Sequence, residues 1–561
     1  MFSDPVVGEN FFGRQEIVDL IVKRADSLKA GYRQNVAIIG HQQLGKTSLL
    51  RHFLHLYKDP GILAIYVEIK FPSLDYFVDQ FVRSLLFRYL SASGEEHCGG
   101  AETMPSMELE GLAARASAGI PQTVSHIREI VELLRHRKAE EAYSRLFGLT
   151  SVVREETGKN CIVILDEFHK LGELGIKNAF SDFGKKIMIQ KDTLYLVSSS
   201  SFAASQKILA EKLTLLFGNF ERIYLEPFDF ETAFLFLQKK LAPAGVPENL
   251  RNFLTAFTDG HPFFLDVIAG KLRELVLLRN ERELSGESVA EAFARLFFDA
   301  QGVLHQFFMK LLSPWAGSRE GRDMILLLTE LAKGRNKLKD LCRVLNRSRR
   351  EVSKKLEELV EREMILKTGV FYRFHNRIFK FWLKEVYEPK ELTLLASLTS
   401  GDFSLRVKGM IAEEESLMKV DAVDRVSKLF CEFRNDIIDL GEKRRLLPHF
   451  TEVTAGDGGA VPSGGSKRIL AKGNGRCWIC KVVEEKATER EVMDLTAGEG
   501  QSKRRFSTTK VLVALKGLED TAKLLAKERK VLTLGLSKIN MLMELYGKAP
   551  IVRLGRQAKG P

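Results

Sequence analysis

A parallel α/β sheet, extended by helical units and closed by a smaller α/β unit, is the fold class that this sequence predicts. Three observations carry it. The apolar run Val36-Ala37-Ile38-Ile39 breaks into a glycine-bracketed stretch, Gly40 to Thr47, and resumes as a Leu-rich amphipathic segment, the order strand, loop, helix. A second run, Cys161-Ile162-Val163-Ile164-Leu165, is continuously apolar and ends in Asp166-Glu167, as a strand buried on both faces of a parallel sheet requires. From Phe230 onward the periodicity turns helical, and 561 residues exceed what one core organises, so several domains follow the sheet.

The first loop carries chemistry. Gly40, Gly45, Lys46 and Thr47 fit G-x-x-x-x-G-K-[ST], in which glycines let backbone N–H groups converge on phosphate oxygens. The stretch Gly40, His41, Gln42, Gln43, Leu44, Gly45, Lys46, Thr47 and Ser48 would then enclose the phosphates of ATP. Lys46 would neutralise charge, Thr47 would ligate Mg²⁺, and the following helix would aim its positive end at the anion. The second run matches the Walker B pattern, with Asp166 holding Mg²⁺ through water and Glu167 polarising the attacking water. The neighbouring His169 and Lys170 read as loop residues without a role.

Composition narrows the class. A hydrophobic fraction of 45% and a charged fraction of 28% are ordinary for a soluble globular protein. No run of about 20 apolar residues occurs, so no transmembrane helix and no membrane partner are expected. The start Met1-Phe2-Ser3-Asp4-Pro5 lacks a basic region followed by an apolar one, and a cytoplasmic protein is expected. Six scattered cysteines suit a reducing compartment; the single CxxC, Cys477 to Cys480, lies in a strand-like run and reads as buried thiols. The net charge of +12 is concentrated late: Gln501 to Pro561 holds 14 Lys and Arg against four Asp and Glu, an excess of ten. Such a surface either attracts nucleic acid or is a solvated basic face.

Ahead of the loop stands Phe11-Phe12-Gly13-Arg14-Gln15-Glu16, a segment placed to fold over a nucleotide base. This box, some twenty-five residues before the loop, together with the loop itself, resembles the prokaryotic ATPase family within the AAA+/STAND P-loop NTPases. Gln42 and Gln43 stand where that family often carries arginine. Strand Ile62 to Ile69 and a helix from Leu74 to Tyr89 come next, then a flexible insertion, Ser91 to Thr123, with a short helix around Met107 to Ala116. Leu194 to Ser201 occupies the place of the family's sensor-1 strand. The resemblance implies that Ser198 or Ser199 bonds the γ-phosphate or the lytic water; the alternative is that these serines cap a helix from Phe202 to Leu213. Phe217 to Phe228 resembles the family's segment bearing an arginine after a glycine, which makes Arg222 a γ-phosphate sensor candidate, displaced by the intervening Asn219. The helical stretch Phe230 to Leu278 resembles the family's lid, and Gly260-His261-Pro262 its G-x-P turn, with Pro262 near the adenine.

A third unit begins near Gly321. Three helical patterns, Met324 to Leu331, Leu338 to Leu345 and Val352 to Val360, followed by a hairpin about Gly369, give the winged-helix order. The third helix carries Arg347, Arg349, Arg350, Lys354 and Lys355, suited to DNA contact or to a solvated face. Leu392 to Leu446 is expected to be helical, and Ala455 to Gly465 a linker. The last segment alternates strands and helices in an order resembling the restriction-endonuclease-like fold. On its strand Trp478 to Val483, Lys481 and Val483 stand where that fold's nucleases carry Glu and Lys, so a non-cleaving domain is expected.

The predicted boundaries are 1–229 for a P-loop ATPase core, 230–310 for a helical lid, 320–388 for a winged helix, 389–450 for a helical connector and 451–561 for the basic restriction-endonuclease-like domain. The predicted function is an ATP-binding, ATP-hydrolysing switch, with ATP and Mg²⁺ bound and nucleotide state coupled to DNA or a partner. The alternatives are a DNA-binding regulator in which ATP is structural and an ATP-dependent nuclease. The resemblance further implies a nucleotide-dependent oligomer.

Overall fold

The computed structural model describes residues 4–94, 108–213, 220–392, 398–440, 444–456, 468–497 and 507–551. Several expectations lie outside the described residues: the middle of the insertion after Ser91, Phe217-Gly218-Asn219, most of the glycine linker, and both ends of the basic tail. The chain divides into two units, Met1–Thr232 with His261–Phe263, and Ala233–Gly260 with Phe264–Pro561.

The first unit is a mixed α/β fold on a five-stranded parallel sheet, consistent with a P-loop NTPase fold, as the apolar runs predict. Its strands are β1 (Asn35–Ile39), β2 (Ile62–Glu68), β3 (Asn160–Asp166), β4 (Thr193–Ser199) and β5 (Phe220–Tyr224), in the spatial order β2-β3-β4-β1-β5. Every residue of β1, β3 and β4 is buried, because alternate side chains serve different layers. Val36, Ile38, Ile162 and Ile164 pack with Ile21, Leu50 and Phe53 of helices α1 (Gln15–Lys29) and α2 (Lys46–Leu56). Ala37, Ile39, Val163 and Leu165 join the other layer, with Phe77 and Phe81 of helix α3 (Leu74–Ala92), Phe147 and Phe183. Among the described residues between α3 and β3 lie the helices Leu109–Ala116, Pro121–Arg135, Ala139–Leu146 and Leu149–Thr157. Because β4 lies between β1 and β3, the carboxyl ends of strands distant in sequence come together there, where open α/β sheets place ligands.

The second unit contains helices Glu248–Thr258, Pro262–Arg279 and Gly286–Phe293, then Arg319–Ala332, Leu338–Leu345 and Arg349–Glu361, followed by the antiparallel pair β6 (Ile365–Thr368) and β7 (Phe371–Phe374). Among its described residues, the stretch expected to be helical from Leu392 to Leu446 is helical over Ser400–Met418 and Ala422–Phe430. It then forms a hairpin, β8 (Asp436–Asp439) with β9 (Arg444–Leu447). The physical reason is packing: Ile438 and Leu447 enter one core, together with Phe371 of β7. The β6–β7 turn docks on β8, where Val370 N–H donates to the Ile437 carbonyl at 3.0 Å and Gly369 N–H to Asp439 at 3.1 Å. Gly369 has φ +65°, and a Cβ there would stand 2.0 Å from the Ile437 carbonyl oxygen, so this turn requires glycine.

A second sheet, β10 (Glu452–Gly456), β11 (Arg468–Gly473), β12 (Arg476–Val483), β13 (Ser507–Ala514) and β14 (Leu532–Gly535), runs in that order. Ala455, expected in the linker, is thus in a strand. Cys477 and Cys480 are both buried on β12, and burial pushes both thiols up, away from the thiolate that redox or metal chemistry would use.

Candidate active site

The loop after β1 is shaped by two glycines. A Cβ on Gly40 would meet the Leu225 carbonyl oxygen at 2.8 Å, and Gly45 has φ +86°, so neither position accepts a side chain without distortion. Gly40 N–H donates to the Ser199 carbonyl at 3.2 Å, tying the loop to the end of β4. Leu44 is buried, Gln42 exposed, and His41 stacks on Phe202 with ring centroids 6.3 Å apart. Lys46 is 4% exposed, with its ammonium donating to the Gly40 and His41 carbonyls, each at 2.8 Å. A buried ammonium curled inside its own loop is a preorganised countercharge for an anion.

Three side chains from three elements converge on Asp166, which is fully buried at the end of β3. Thr47 Oγ1, in the first turn of α2, donates to Asp166 Oδ2 at 2.6 Å. The Tyr66 hydroxyl of β2 donates to the same oxygen at 2.9 Å, and Ser198 of β4 donates to Oδ1. Burial, with the Asp166 carboxylate beside it, pushes the Tyr66 phenol far above its usual range, so it remains a donor. Thr47 and Asp166 supply the hydroxyl and carboxylate oxygens that Mg²⁺ favours, at one point beside the loop, and so fit that ion.

Glu167 follows in the left-handed region at φ +61°, which turns its carboxylate away from the strand axis. Its Oε2 accepts from Ser200 N–H at 3.0 Å and from Ser200 Oγ at 2.6 Å. His169, read from the sequence as a loop residue without a role, belongs to this cluster. Its Nδ1 lies 2.9 Å from Ser199 Oγ and 3.4 Å from Glu167 Oε2. Ser198 donates to Asp166, whereas Ser201 caps the helix Phe202–Lys207 by accepting from Ala204 N–H.

Arg14 lies against the loop. Its guanidinium donates to the Leu44 carbonyl, to the Glu226 carbonyl at 3.0 Å, and packs over Phe228 at 5.1 Å; burial lowers its pKa to about 10. Residues 10–179 match the AAA ATPase domain family. Over this span the chain is similar to AAA ATPase domains. The matched span holds both Walker motifs, while the serine-bearing end of β4 follows it in the chain.

Two further residues singled out by the sequence, Arg222 and Pro262, lie on other elements. Arg222 is exposed on edge strand β5, level with Ala37, three residues before the loop begins. Pro262 is half-buried at the first position of helix Pro262–Arg279, after Gly260 at φ +67°. Sequence reasoning missed Tyr66 and His169. Tyr66 alternates with buried Ile65 and Val67 as any half-exposed strand tyrosine does, so only the pairing of β2 with β3, which sets Tyr66 opposite Ile164, reveals it.

No curated protein matches the chain in sequence. Among solved structures, the Walker-type ATPase of Pyrococcus abyssi aligns at 16% identity over 68% of this chain and 99% of that one, with a TM-score of 0.46. The Aeropyrum pernix ORC2 protein, in ADPNP–ADP complexes, aligns at 13% identity over 74% and 98%, TM-score 0.43. The Thermotoga maritima RuvB branch migration motor aligns at 14% identity over 69% and 100%, TM-score 0.34. Among the described residues no helix is long and apolar enough to cross a membrane.

Proposed function

We propose that this protein binds and hydrolyses ATP as a cytoplasmic switch, and that its nucleotide state governs binding to DNA or to a partner. The observation that carries the reading is the convergence of Thr47, Ser198 and Tyr66 on Asp166 beside the buried Lys46 ammonium. Backbone N–H groups of the loop and Lys46 hold the β- and γ-phosphates of the substrate. Thr47 and Asp166 would hold Mg²⁺, which when bound supplies charge neutralisation to the transferring phosphoryl group. Glu167 orients the attacking water, and Ser200 and His169 fix where its carboxylate rests between turnovers. Arg222 as a γ-phosphate sensor requires β5 to shift toward the loop or a second copy of the chain to supply the residue in a nucleotide-dependent oligomer. Pro262 is the adenine-side candidate.

The second unit is the DNA- or partner-facing part, with a winged helix over 320–388 and a restriction-endonuclease-like tail. Arg349, Arg350 and Lys354 are exposed on the helix Arg349–Glu361, while the β6–β7 turn is engaged by β8; contact with a duplex would therefore run through the helix rather than the turn. In the tail, Lys481 is 6% exposed and its ammonium is tied to Asp494 at 2.8 Å, an arrangement that favours a binding surface over a nuclease centre. The testing experiment is ATP turnover by the purified protein across a panel of single- and double-stranded nucleic acids. Turnover that rises with one class supports the switch, turnover without any response favours a protein partner, and absence of both binding and turnover overturns the reading.

A further inference from the structure

A cavity of about 290 Å³ lies between α2, β2, α3 and the N-terminal segment, and no residue from Gly40 to Thr47 lines it. Its size is at the small end of the range for ligand sites, roughly 300–1,000 Å³. Three cationic side chains, Arg51, Lys70 and Arg88, face it with one carboxylate, Glu68. Lys70 and Glu68 form an ion pair at 3.3 Å, and Arg51 and Arg88 stand elsewhere along the described lining. Apolar and aromatic surface comes from Leu54, Tyr66, Tyr76 and Phe87, and hydrogen-bonding groups from Gln80 and Ser84. Above it the N-terminal segment is pinned to α2: Val6 N–H donates to Ser48 Oγ at 3.1 Å and Gly8 N–H to His52 Nδ1 at 3.2 Å, which sets Pro5 and Val7 in the cavity wall. Flat rings beside two guanidinium groups, with the pinned N-terminal segment as one wall, together favour a compact, planar anion.

The cavity also touches the site already described. Arg51 stands one helical turn after Thr47 on α2, and its guanidinium lies over the Tyr66 ring, 5.4 Å from the centroid. The hydroxyl at the other end of that ring is the one that donates to Asp166 at 2.9 Å, and Ser84 Oγ accepts from the Tyr66 backbone N–H at 3.0 Å. An occupant therefore shares Tyr66 with the carboxylate placed to hold Mg²⁺.

We propose that this cavity binds a small aromatic or heterocyclic ring bearing a phosphate or carboxylate, and that its occupation alters nucleotide affinity through Tyr66. The coupling rests on the nucleotide-binding reading of the Gly40 loop; the binding itself does not. Arg51 and Arg88 meet the anionic group, the rings of Tyr66 and Phe87 meet the planar body, and the shift of Tyr66 under the ligand changes how firmly Asp166 is held. Because coupling between two binding sites is reciprocal, nucleotide changes ligand affinity by the same factor.

The test uses the full chain and two probes, phenyl phosphate and benzoate, with phenol as the uncharged control, titrated by calorimetry. With Mg²⁺ and a saturating non-hydrolysable ATP analogue present, one equivalent of phenyl phosphate or benzoate is expected to bind more tightly than phenol. The preference between the two anions separates a phosphate ligand from a carboxylate one. Arg88→Gln is expected to weaken this binding about tenfold or more. Tyr66→Phe keeps the ring and is expected to retain probe binding, while the several-fold effect of probe on analogue affinity in the wild type falls below about twofold. Absence of binding by both anions, binding that the ATP analogue displaces completely, or an unchanged affinity in Arg88→Gln overturns the site. Probe binding with no effect on analogue affinity in the wild type overturns the coupling. Failure of the analogue itself to bind, with probe binding intact, overturns the reading of the loop and leaves the cavity's ligand standing.

Discussion

The Thr47 hydroxyl lies 2.6 Å from the Asp166 carboxylate, joining residues 119 positions apart in the chain. The contact exists because α2 begins directly at the end of the loop after β1, so the first turn of α2 and the last residue of β3 meet at the carboxyl end of the sheet, with β4 between the two strands. The proposed nucleotide chemistry would depend on two charges held on either side of this point, the Lys46 ammonium and the Asp166 carboxylate.

Lys46→Ala removes the buried countercharge. Charge-assisted hydrogen bonds contribute roughly 1.5–3 kcal/mol, so ATP affinity is expected to fall about tenfold to a hundredfold. Titration calorimetry with an ATP analogue checks this; an unchanged Kd would remove the loop from the binding site.

Glu167→Gln is expected to retain ATP binding and to lose turnover by roughly 10²- to 10⁴-fold, the range of general base contributions. The amide keeps an oxygen able to accept from Ser200, so the fold at the end of β4 is undisturbed. Steady-state phosphate release beside an affinity measurement separates the two effects, and equal hydrolysis in mutant and wild type reassigns the base.

The loop and the two central strands were legible because each is written in consecutive residues. Gly40, Gly45, Lys46 and Thr47 are fixed by a short spacing, and Asp166 by the apolar run before it. Tyr66, Ser200 and His169 were not, because their roles come from strand pairing and from the left-handed turn at Glu167, which no local pattern records. The hairpin Asp436–Leu447 was hidden for a similar reason. Its apolar residues Ile437-Ile438 and Leu446-Leu447 suit a helix face as well as a strand pair, and docking against Phe371 and Val370 decides between them. Arg222 was read for its residue type alone, and only the register of β5 shows that it lies level with Ala37.

Asp494 is the acidic partner of two cations, Lys481 at 2.8 Å and Arg468 at 2.7 Å. The hydrogen bond from Lys481, then that from Arg468, holds its carboxyl below the ordinary value. A depressed folded-state pKa contributes stability that is present above the unfolded value, near 3.9, and is lost as the pH falls below it. Asp494→Asn leaves the ammonium of the buried Lys481 side chain without its carboxylate. The expected cost is roughly 1–3 kcal/mol, at the lower end for a buried pair because Asp494 is itself 38% exposed. Denaturant unfolding at pH 7 and at pH 3 checks it: the variant should lose stability at pH 7, and the gap to wild type should narrow at pH 3.

Two basic surfaces compete for the role of nucleic-acid contact, and the second sheet dictates how they are compared. Removing Gln501 to Pro561 would take away β13, β14 and the helix Leu536–Leu545, whose Val511, Val513, Leu534, Ile539 and Leu542 sit in the core, so truncation would unfold the tail and test nothing else. Charge substitution leaves that core intact. Lys523, Lys527, Arg529 and Lys530 are exposed at or just after the helix Asp520–Glu528, and Arg349, Arg350 and Lys354 are exposed on the helix Arg349–Glu361. Affinity for duplex DNA built on phosphate neutralisation falls with salt, each neutralised phosphate adding roughly 0.9 to the slope of log K against log salt. Replacing the four tail residues by Gln is expected to reduce that slope in proportion to the phosphates no longer neutralised, with little change in preference among sequences. Replacing Arg349, Arg350 and Lys354 by Gln should reduce it too, but with loss of sequence preference if this helix reaches base edges in the major groove. Slopes unchanged in both variants would move the contact away from both helices, and a protein partner would then be the one that the nucleotide state controls.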